Sequence, residues 1–237
     1  MAPLRDQARS GPHGLPRQRK GVTPQMVGRY PDYDVLAEQH HWDDRTRKVV
    51  LERVEHPPPI RFFSAEEART LEAFCDVATA QDGEPRIPVL NYVDEKLHRG
   101  LRDGWQYFDQ PDDDEVWRRV ARGLDAEARA RAAPSYADAP LDARVEIVHL
   151  FSRAELHGGV WGTMNVARAW STVMRYVAAA FYAHPWAWNE IGFGGPAYPR
   201  GYSRFGSRHL PESERESWEG REHVHWDPGE LGEGLDE

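Results

Sequence analysis

An α-helical pattern runs through Thr163-Met-Asn-Val-Ala-Arg-Ala-Trp-Ser-Thr-Val-Met-Arg-Tyr-Val-Ala-Ala-Ala-Phe-Tyr182. Its large apolar side chains recur every three or four residues, at Val166, Trp170, Val173, Val177 and Phe181. At about 100° per residue these side chains span about 80° of the helix surface, and Arg168 and Arg175 fall near the opposite side. The pattern predicts an amphipathic helix over 163–182 that buries one face in a core.

Further helical patterns lie upstream of this segment. Ser64-Ala-Glu-Glu67 has the form of a capping box, and Leu71, Phe74 and Cys75 follow it at helical spacing. We expect another helix after Pro88 and two shorter helices over 112–121 and 124–133. Residues 142–156 are compatible with a helix or a strand, and the spacing of their apolar residues favours the helix. No Asn-Gly or Asp-Gly pair lies between two runs of alternating apolar and polar residues, so the sequence gives no clear signal for a β-hairpin.

The predicted fold class is therefore mainly α, with a core between about residues 60 and 185. We interpret 1–59 as a basic, proline-rich N-terminal arm and 60–205 as a single irregular helical domain that ends in an aromatic loop. Residues 206–237 read as an acidic tail. Both arms are rich in glycine, proline and charge, so we expect them to be non-regular and poorly ordered alone.

Composition excludes several classes of protein. The 237 residues have a net charge of -9, which is unfavourable for general nucleic-acid binding. No apolar run reaches the roughly 18 residues that a membrane span needs. The single cysteine, Cys75, excludes an intramolecular disulfide and any zinc site with two thiolates. Because Cys75 lies on the apolar face of its helix, a buried structural thiol is favoured over a nucleophile.

The start of the chain carries basic residues but no export pattern. Arg17-Gln-Arg-Lys20 is followed by Gly-Val-Thr-Pro-Gln, which is too polar for the apolar part of a secretory signal. We expect the protein to be cytoplasmic, or extracytoplasmic only if an exported partner carries it.

The sequence changes character after residue 183. Aromatic residues, glycines and prolines are mixed over 184–202, and aromatics at this density must pack against something. One alternative is a loop that seals its own helical core. We favour a partner-binding surface, exposed in the isolated chain, in which Trp188→Ala weakens association more than folding. Its predicted residues are Trp186, Trp188, Asn189, Glu190, Gly192, Phe193, Gly194, Gly195, Pro196, Tyr198, Pro199, Arg200 and Tyr202. If Trp188 belongs to the core instead, the arginine face at Arg168 and Arg175 is the next candidate.

Two blocks carry a family resemblance. The C-terminal block contains Val166-Ala-Arg-Ala-Trp170, Trp186-Ala-Trp-Asn-Glu-Ile-Gly-Phe-Gly-Gly-Pro196 and Arg200-Gly-Tyr202. The N-terminal block contains Phe63-Ser64, Cys75-Asp76 and Tyr92-Val-Asp94. Together, over about residues 60–202, they resemble the gluconate 2-dehydrogenase subunit 3 family.

The resemblance implies a small, helical, non-catalytic subunit without a cofactor of its own. The implied partner is a large FAD-dependent dehydrogenase of the glucose–methanol–choline type that oxidises sugars, sugar acids or polyols, and many such complexes add a cytochrome c. Family members often carry a twin-arginine export signal, and the basic segment of this chain departs from that pattern.

Two other functions stay open, and the first is a stand-alone metal-dependent enzyme. His223-Val-His225-Trp-Asp227 places two imidazoles and a carboxylate at alternate positions, which suits a zinc or nickel site in an extended segment. A solvated tail with chance histidines is the favoured interpretation. The remaining possibility is a stand-alone structural helical protein.

Overall fold

A computed structural model describes residues 35–196 of the chain, except 82, 84, 85, 103, 192 and 194. The described residues form no strand, which confirms the mainly α fold class. Within these described residues, seven α-helices follow one another as α1 Asp44–Glu55, α2 Ala65–Ala78, α3 Val89–His98, α4 Asp113–Ala130, α5 Leu141–Ser152, α6 Val166–Tyr182 and α7 Pro185–Ile191. Short 3₁₀ helices cover Val35–His41 and Gly159–Thr163.

The described residues pack as two compact units. The helical unit comprises 57–183, and the terminal unit combines 35–56 with 184–196. The unit boundary therefore falls at residue 184, whereas the sequence interpretation kept the aromatic loop with the helices up to residue 205. Residues 1–34 and 197–237, which include most of both expected arms, lie outside the described residues.

The helical unit is built around α2, α4 and α6. Helix α2 packs on α3, α4 and α5, and α6 packs on α3, α4 and α5. Aromatic rings fill the centre: Phe151 lies 5.2 Å from Trp170 and 5.1 Å from Trp161 between ring centroids. On α6, Val173, Val177 and Phe181 are buried as the helical pattern predicted. Helix α5, Leu141–Ser152, confirms the prediction of a helix rather than a strand for the segment 142–156.

The capping box at the start of α2 is present as expected. The Ser64 hydroxyl accepts from the backbone N–H of Glu67, and the Glu67 carboxylate accepts from the backbone N–H of Ser64. Cys75 on this helix is buried, and burial, with smaller contributions from nearby carboxylates, raises the pKa of its thiol. Both facts agree with the structural interpretation of this cysteine.

A buried carboxylate fixes the chain that enters α2. Asp94 on α3 is 0 % exposed. Its Oδ1 accepts from the N–H of Arg61 at 2.7 Å, and its Oδ2 accepts from those of Phe62 and Phe63 at 2.9 and 3.0 Å. Three consecutive backbone donors that have no strand or helix partner are thus satisfied by one side chain.

Helix α4 corrects the prediction of two short helices. It is continuous from Asp113 to Ala130, and Gly123 lies within it. A Cβ placed on Gly123 would lie 2.5 Å from Cζ2 of Trp161. The absence of a side chain at Gly123 lets the buried indole of Trp161 lie directly on the helix backbone.

We expect Gly123→Ala to destabilise the helical unit by about 1–3 kcal/mol. Alanine normally favours a helix over glycine by about 1 kcal/mol, but here its methyl group would overlap a buried ring that has no space to move. Urea unfolding measures the change. Gly162→Ala is the control, since nothing lies within 4 Å of a Cβ at that position, and its effect should be small. A stabilised Gly123→Ala variant would contradict the close contact.

Three helices end without the glycine that usually marks a helix terminus. Ala80, Ala132 and Ala154 follow α2, α4 and α5 with φ of 56°, 64° and 56°. At each position, backbone bonds close the last turn in the Schellman arrangement, as from Gln81 N–H to the Asp76 carbonyl at 2.8 Å. Alanine in this conformation is strained, and two backbone hydrogen bonds at each end satisfy carbonyl groups of the last helical turn.

The terminal unit contains two helices that lie within the expected non-regular arm. Val35–His41 is 3₁₀, and α1 begins where the Asp43 carboxylate accepts from the N–H of Thr46. Helix α1 buries Val50 and directs this apolar face towards α7. An N-cap and a short apolar stripe thus produce a helix in a charged segment.

No helix in the part of the chain that the structure describes combines the length and the apolar character that crossing a bilayer requires.

Candidate partner-binding surface

The predicted aromatic surface is divided between buried, half-buried and undescribed residues. Trp188 and Asn189 are buried, while Trp186, Phe193 and Pro196 are half-buried. Ile191, which the prediction left out, is exposed. The side chain of Glu190 and residues Gly192, Gly194, Tyr198, Pro199, Arg200 and Tyr202 lie outside the described residues.

Trp188 is not exposed in the isolated chain, which corrects that expectation. Only 6 % of its surface remains accessible, because it packs in a cluster with side chains from the N-terminal segment. The cluster comprises Val35, Leu36, Trp42, Val50 and Trp188, with Leu51, Val54 and Phe193 at its edge. The N-terminal segment thus supplies the apolar side chains that surround Trp188. The assignment of the other loop residues to an interface stays a prediction.

Close backbone packing holds this cluster together. Asn189 accepts the N–H of Val35 on its side-chain oxygen at 2.7 Å. Gly195 has a φ of 83°, and a Cβ there would lie 2.7 Å from Val35 Cγ2 and 3.2 Å from Trp42. Two residues of the family-like string therefore bind the 3₁₀ helix at Val35, which gives them a structural role.

His184 joins the two segments of the terminal unit. Its Nδ1 accepts from the backbone N–H of Trp186 at 3.2 Å, and its ring also makes a hydrogen bond to the backbone of Arg53. The side chain is buried, and burial lowers its pKa to about 4. The imidazole is thus held neutral between one backbone donor and one backbone acceptor.

Acid should weaken the terminal unit through His184. The pKa is about 4 in the folded chain against an ordinary 6.5, so the unfolded chain takes up the proton first as the pH falls. Stability from this residue is complete above pH 6.5 and declines towards pH 4 by roughly 1.4 kcal/mol per unit, about 3 kcal/mol in total. Comparing urea unfolding of the wild type and His184→Gln at pH 7 and 4.5 tests this. The difference between the two proteins should shrink in acid, and parallel profiles would contradict it.

The arginine face of α6 carries a second candidate surface. Arg168 pairs with Asp109, and its guanidinium carbon lies 4.6 Å from the ring centroid of Tyr107. Arg175 pairs with Asp113 at 3.3 Å and lies 4.6 Å from the ring centroid of Trp105. These arginines are therefore not simply solvated, because they hold the loop between α3 and α4 against α6.

This loop exposes large apolar side chains. Phe108 is 94 % exposed, and Trp105 and Leu101 are about half exposed. We call the surface the aromatic–arginine platform and define it as Leu101, Trp105, Tyr107, Phe108, Arg168 and Arg175. Sequence reasoning named its arginines as a fallback but missed the loop. The pattern that indicates it is the run Trp105-Gln-Tyr-Phe108 inside a segment rich in glycine and aspartate.

The predicted metal cluster lies elsewhere. His223, His225 and Asp227 are outside the described residues. Among residues that the structure does describe, no three histidine, cysteine, aspartate or glutamate side chains are grouped so that they could hold a metal ion.

Comparison with known proteins gives one family. The model of the family "Gluconate 2-dehydrogenase subunit 3" matches residues 65–195, which include α2 to α7 and the string from Trp186 to Gly195. No curated protein sequence and no solved structure matches the chain. The match covers more than half of the 237 residues and agrees with the resemblance found in the two sequence blocks. The chain belongs to the gluconate 2-dehydrogenase subunit 3 family.

Proposed function

We propose that this chain is a non-catalytic accessory subunit that binds and stabilises a large FAD-dependent dehydrogenase of the glucose–methanol–choline type. In this proposal, the partner oxidises a sugar, sugar acid or polyol and holds the FAD, while this chain binds no flavin. The observation that carries the proposal is family membership, because the family is named for a third subunit of gluconate 2-dehydrogenase.

Two carboxylates of the helical unit, one buried and one half-buried, support a structural role. Asp94 is used by three backbone donors. Asp125 accepts from the Thr70 hydroxyl at 2.8 Å and from the Tyr136 N–H at 2.9 Å. Catalytic carboxylates are instead directed at a cleft in which a substrate is bound. Both carboxylates therefore serve to connect segments of the fold.

The exposed surface supports a binding role. Trp, Tyr and Arg dominate the energetically important residues of protein interfaces. The aromatic–arginine platform has all three residue types and a nearly fully accessible phenylalanine. Exposing a large apolar side chain such as Phe108 to water is unfavourable, and covering it with another surface lowers the free energy.

Co-purification tests the proposal. The tagged full-length chain is expressed in its own host and isolated under mild conditions, and the absorption spectrum of the eluate is recorded. We expect bound flavin, a large co-eluting chain and sugar or polyol dehydrogenase activity with an artificial electron acceptor. An additional haem absorption band would show that the complex also contains a cytochrome c.

Two comparisons make this test decisive. The same chain produced alone in a foreign host should be colourless. Deleting it from the host should lower the amount of folded dehydrogenase, which measures the stabilising role. A flavin that stays with the isolated chain, or a native eluate without flavin and without a large partner, would contradict the proposal.

A further inference from the structure

We propose that the aromatic–arginine platform is the surface on which the flavoprotein subunit docks, with Phe108 inserted into an apolar pocket of that subunit. This inference rests on the proposed function, because the flavoprotein partner comes from that proposal. It adds the docking surface, which the family match does not identify. It also differs from the surface that the sequence favoured, because Trp188 is committed to the terminal unit.

The loop that carries Phe108 is held in place before any partner arrives. Phe108 and Asp109 are the central residues of a turn closed by the Gln110 N–H and the Tyr107 carbonyl at 3.2 Å. The Gln110 side chain is buried and pairs with the backbone of Asn165, accepting its N–H at 2.9 Å. Asp109 in turn pairs with Arg168.

This preorganisation lowers the entropic cost of binding. A loop that is free in solution must be ordered when it docks, and each immobilised side chain reduces the affinity. Here Tyr107 is fixed below Arg168, and Trp105 is fixed below Arg175 and edge-on to Tyr107 with 5.0 Å between ring centroids. The fold thus presents Phe108 at the tip of a hydrogen-bonded turn, which is suited to entering a pocket.

The charges of the platform favour a protein partner over a membrane or a nucleic acid. On the platform and beside it, three arginines pair with four aspartates: Arg168 with Asp109, Arg175 with Asp113, and the neighbouring Arg102 with Asp112 and Asp114. Anionic lipid and nucleic acid are bound through an excess of positive charge, which these pairs remove. An apolar centre with a balanced polar edge is the usual composition of a protein interface.

The size of the platform fits this role. Phe108 is 94 % exposed, Trp105 52 % and Leu101 48 %, so these side chains still have apolar surface to contribute to the roughly 800 Å² that one partner buries in a stable interface. The flanking arginine pairs provide a rim that excludes water, as around known hot spots.

The test compares two exposed aromatic side chains of the helical unit. Phe108→Ala removes the tip of the platform, and Tyr182→Ala removes a ring at 47 % exposure on the other end of α6. Each tagged variant is expressed in the native host, and flavin recovered per mole of chain is measured at increasing salt and dilution. We expect Phe108→Ala to weaken association at least tenfold and Tyr182→Ala to leave it unchanged. Thermal unfolding of both isolated variants should match the wild type.

A crosslink identifies the neighbour directly. Replacing Phe108 with the photoreactive analogue p-benzoylphenylalanine should join this chain to the flavin-containing subunit on irradiation, while the same analogue at Tyr182 should not. If Phe108→Ala recovers as much flavin as the wild type, the proposed docking surface is wrong, but the proposed accessory function still stands. A wild-type chain that recovers no flavoprotein would overturn both.

Other occupants are distinguished in the same experiments. A crosslink between two copies of this chain, with a dimer that Phe108→Ala dissociates, would overturn the proposal in favour of self-association. Co-sedimentation of the wild type, but not of Phe108→Ala, with vesicles of phosphatidylglycerol would overturn it in favour of a membrane surface.

Discussion

Asp94→Ala should be the most damaging single substitution in the helical unit. The carboxylate of Asp94, which is 0 % exposed, accepts three consecutive backbone N–H groups, and alanine would leave them without this partner, with Phe63 the buried one of the three donor residues. Hydrogen bonds to a charged group contribute about 1.5–3 kcal/mol, and an unsatisfied buried donor costs about 1–3 kcal/mol. We expect a loss of about 3–5 kcal/mol in urea unfolding.

Asp94→Asn is the matched control for this experiment. The amide keeps the shape of the side chain and one oxygen acceptor, but its NH₂ group faces a backbone donor and carries no charge. The loss should therefore be roughly half of that for alanine. Hydrogen exchange resolves the cause, since the amides of Phe62 and Phe63 should lose protection in both variants before the rest of the unit. Unchanged protection at these two amides would show that the carboxylate does not anchor the segment.

Trp188→Ala should destabilise the terminal unit by about 3–5 kcal/mol. Removing a buried indole leaves a cavity whose cost adds to the lost transfer free energy. The cavity would open between Trp42, Val50 and Phe193, the last of which meets the indole edge-on with 5.4 Å between ring centroids. Unfolding followed by tryptophan fluorescence, together with faster hydrogen exchange over Asp44–Glu55, measures the loss.

Trp105→Ala is the control with the same side chain. Its indole is 52 % exposed and packs mainly on Arg175, so its removal should cost less than about 1 kcal/mol of stability. The two variants should therefore affect different quantities. Trp188→Ala should lower the stability of the isolated chain, and Trp105→Ala should lower its affinity for the partner. A Trp188→Ala variant as stable as the wild type would restore the interface interpretation of its loop.

Local patterns predicted most of the helical unit. The capping box at Ser64 and the spacing of Val173, Val177 and Phe181 depend only on neighbouring residues, so both are visible in the sequence and both are confirmed. The predicted family is confirmed for a similar reason, because the string from Trp186 to Pro196 is distinctive as a sequence.

Long-range packing accounts for what the sequence did not reveal. Trp188 is covered by Val35 and Trp42, which are more than 140 residues away along the chain. The segments predicted as two helices over 112–121 and 124–133 belong to one continuous helix, and the sequence does not show that Trp161 lies against Gly123 within it. The platform was missed because an aromatic run within a polar loop has no period to analyse, and its anchor, Gln110 on the backbone of Asn165, is again distant in sequence.

The burial of Cys75 has a practical use in spectroscopy. As the only thiol in the 237 residues, enclosed and with a raised pKa, it should react slowly with maleimides and iodoacetamides. A single cysteine introduced on the surface can therefore carry a fluorophore or spin label without first removing the native one. Labels placed beside the turn at Phe108 or along α1 would report, in the otherwise natural chain, which region changes its surroundings when a complex assembles.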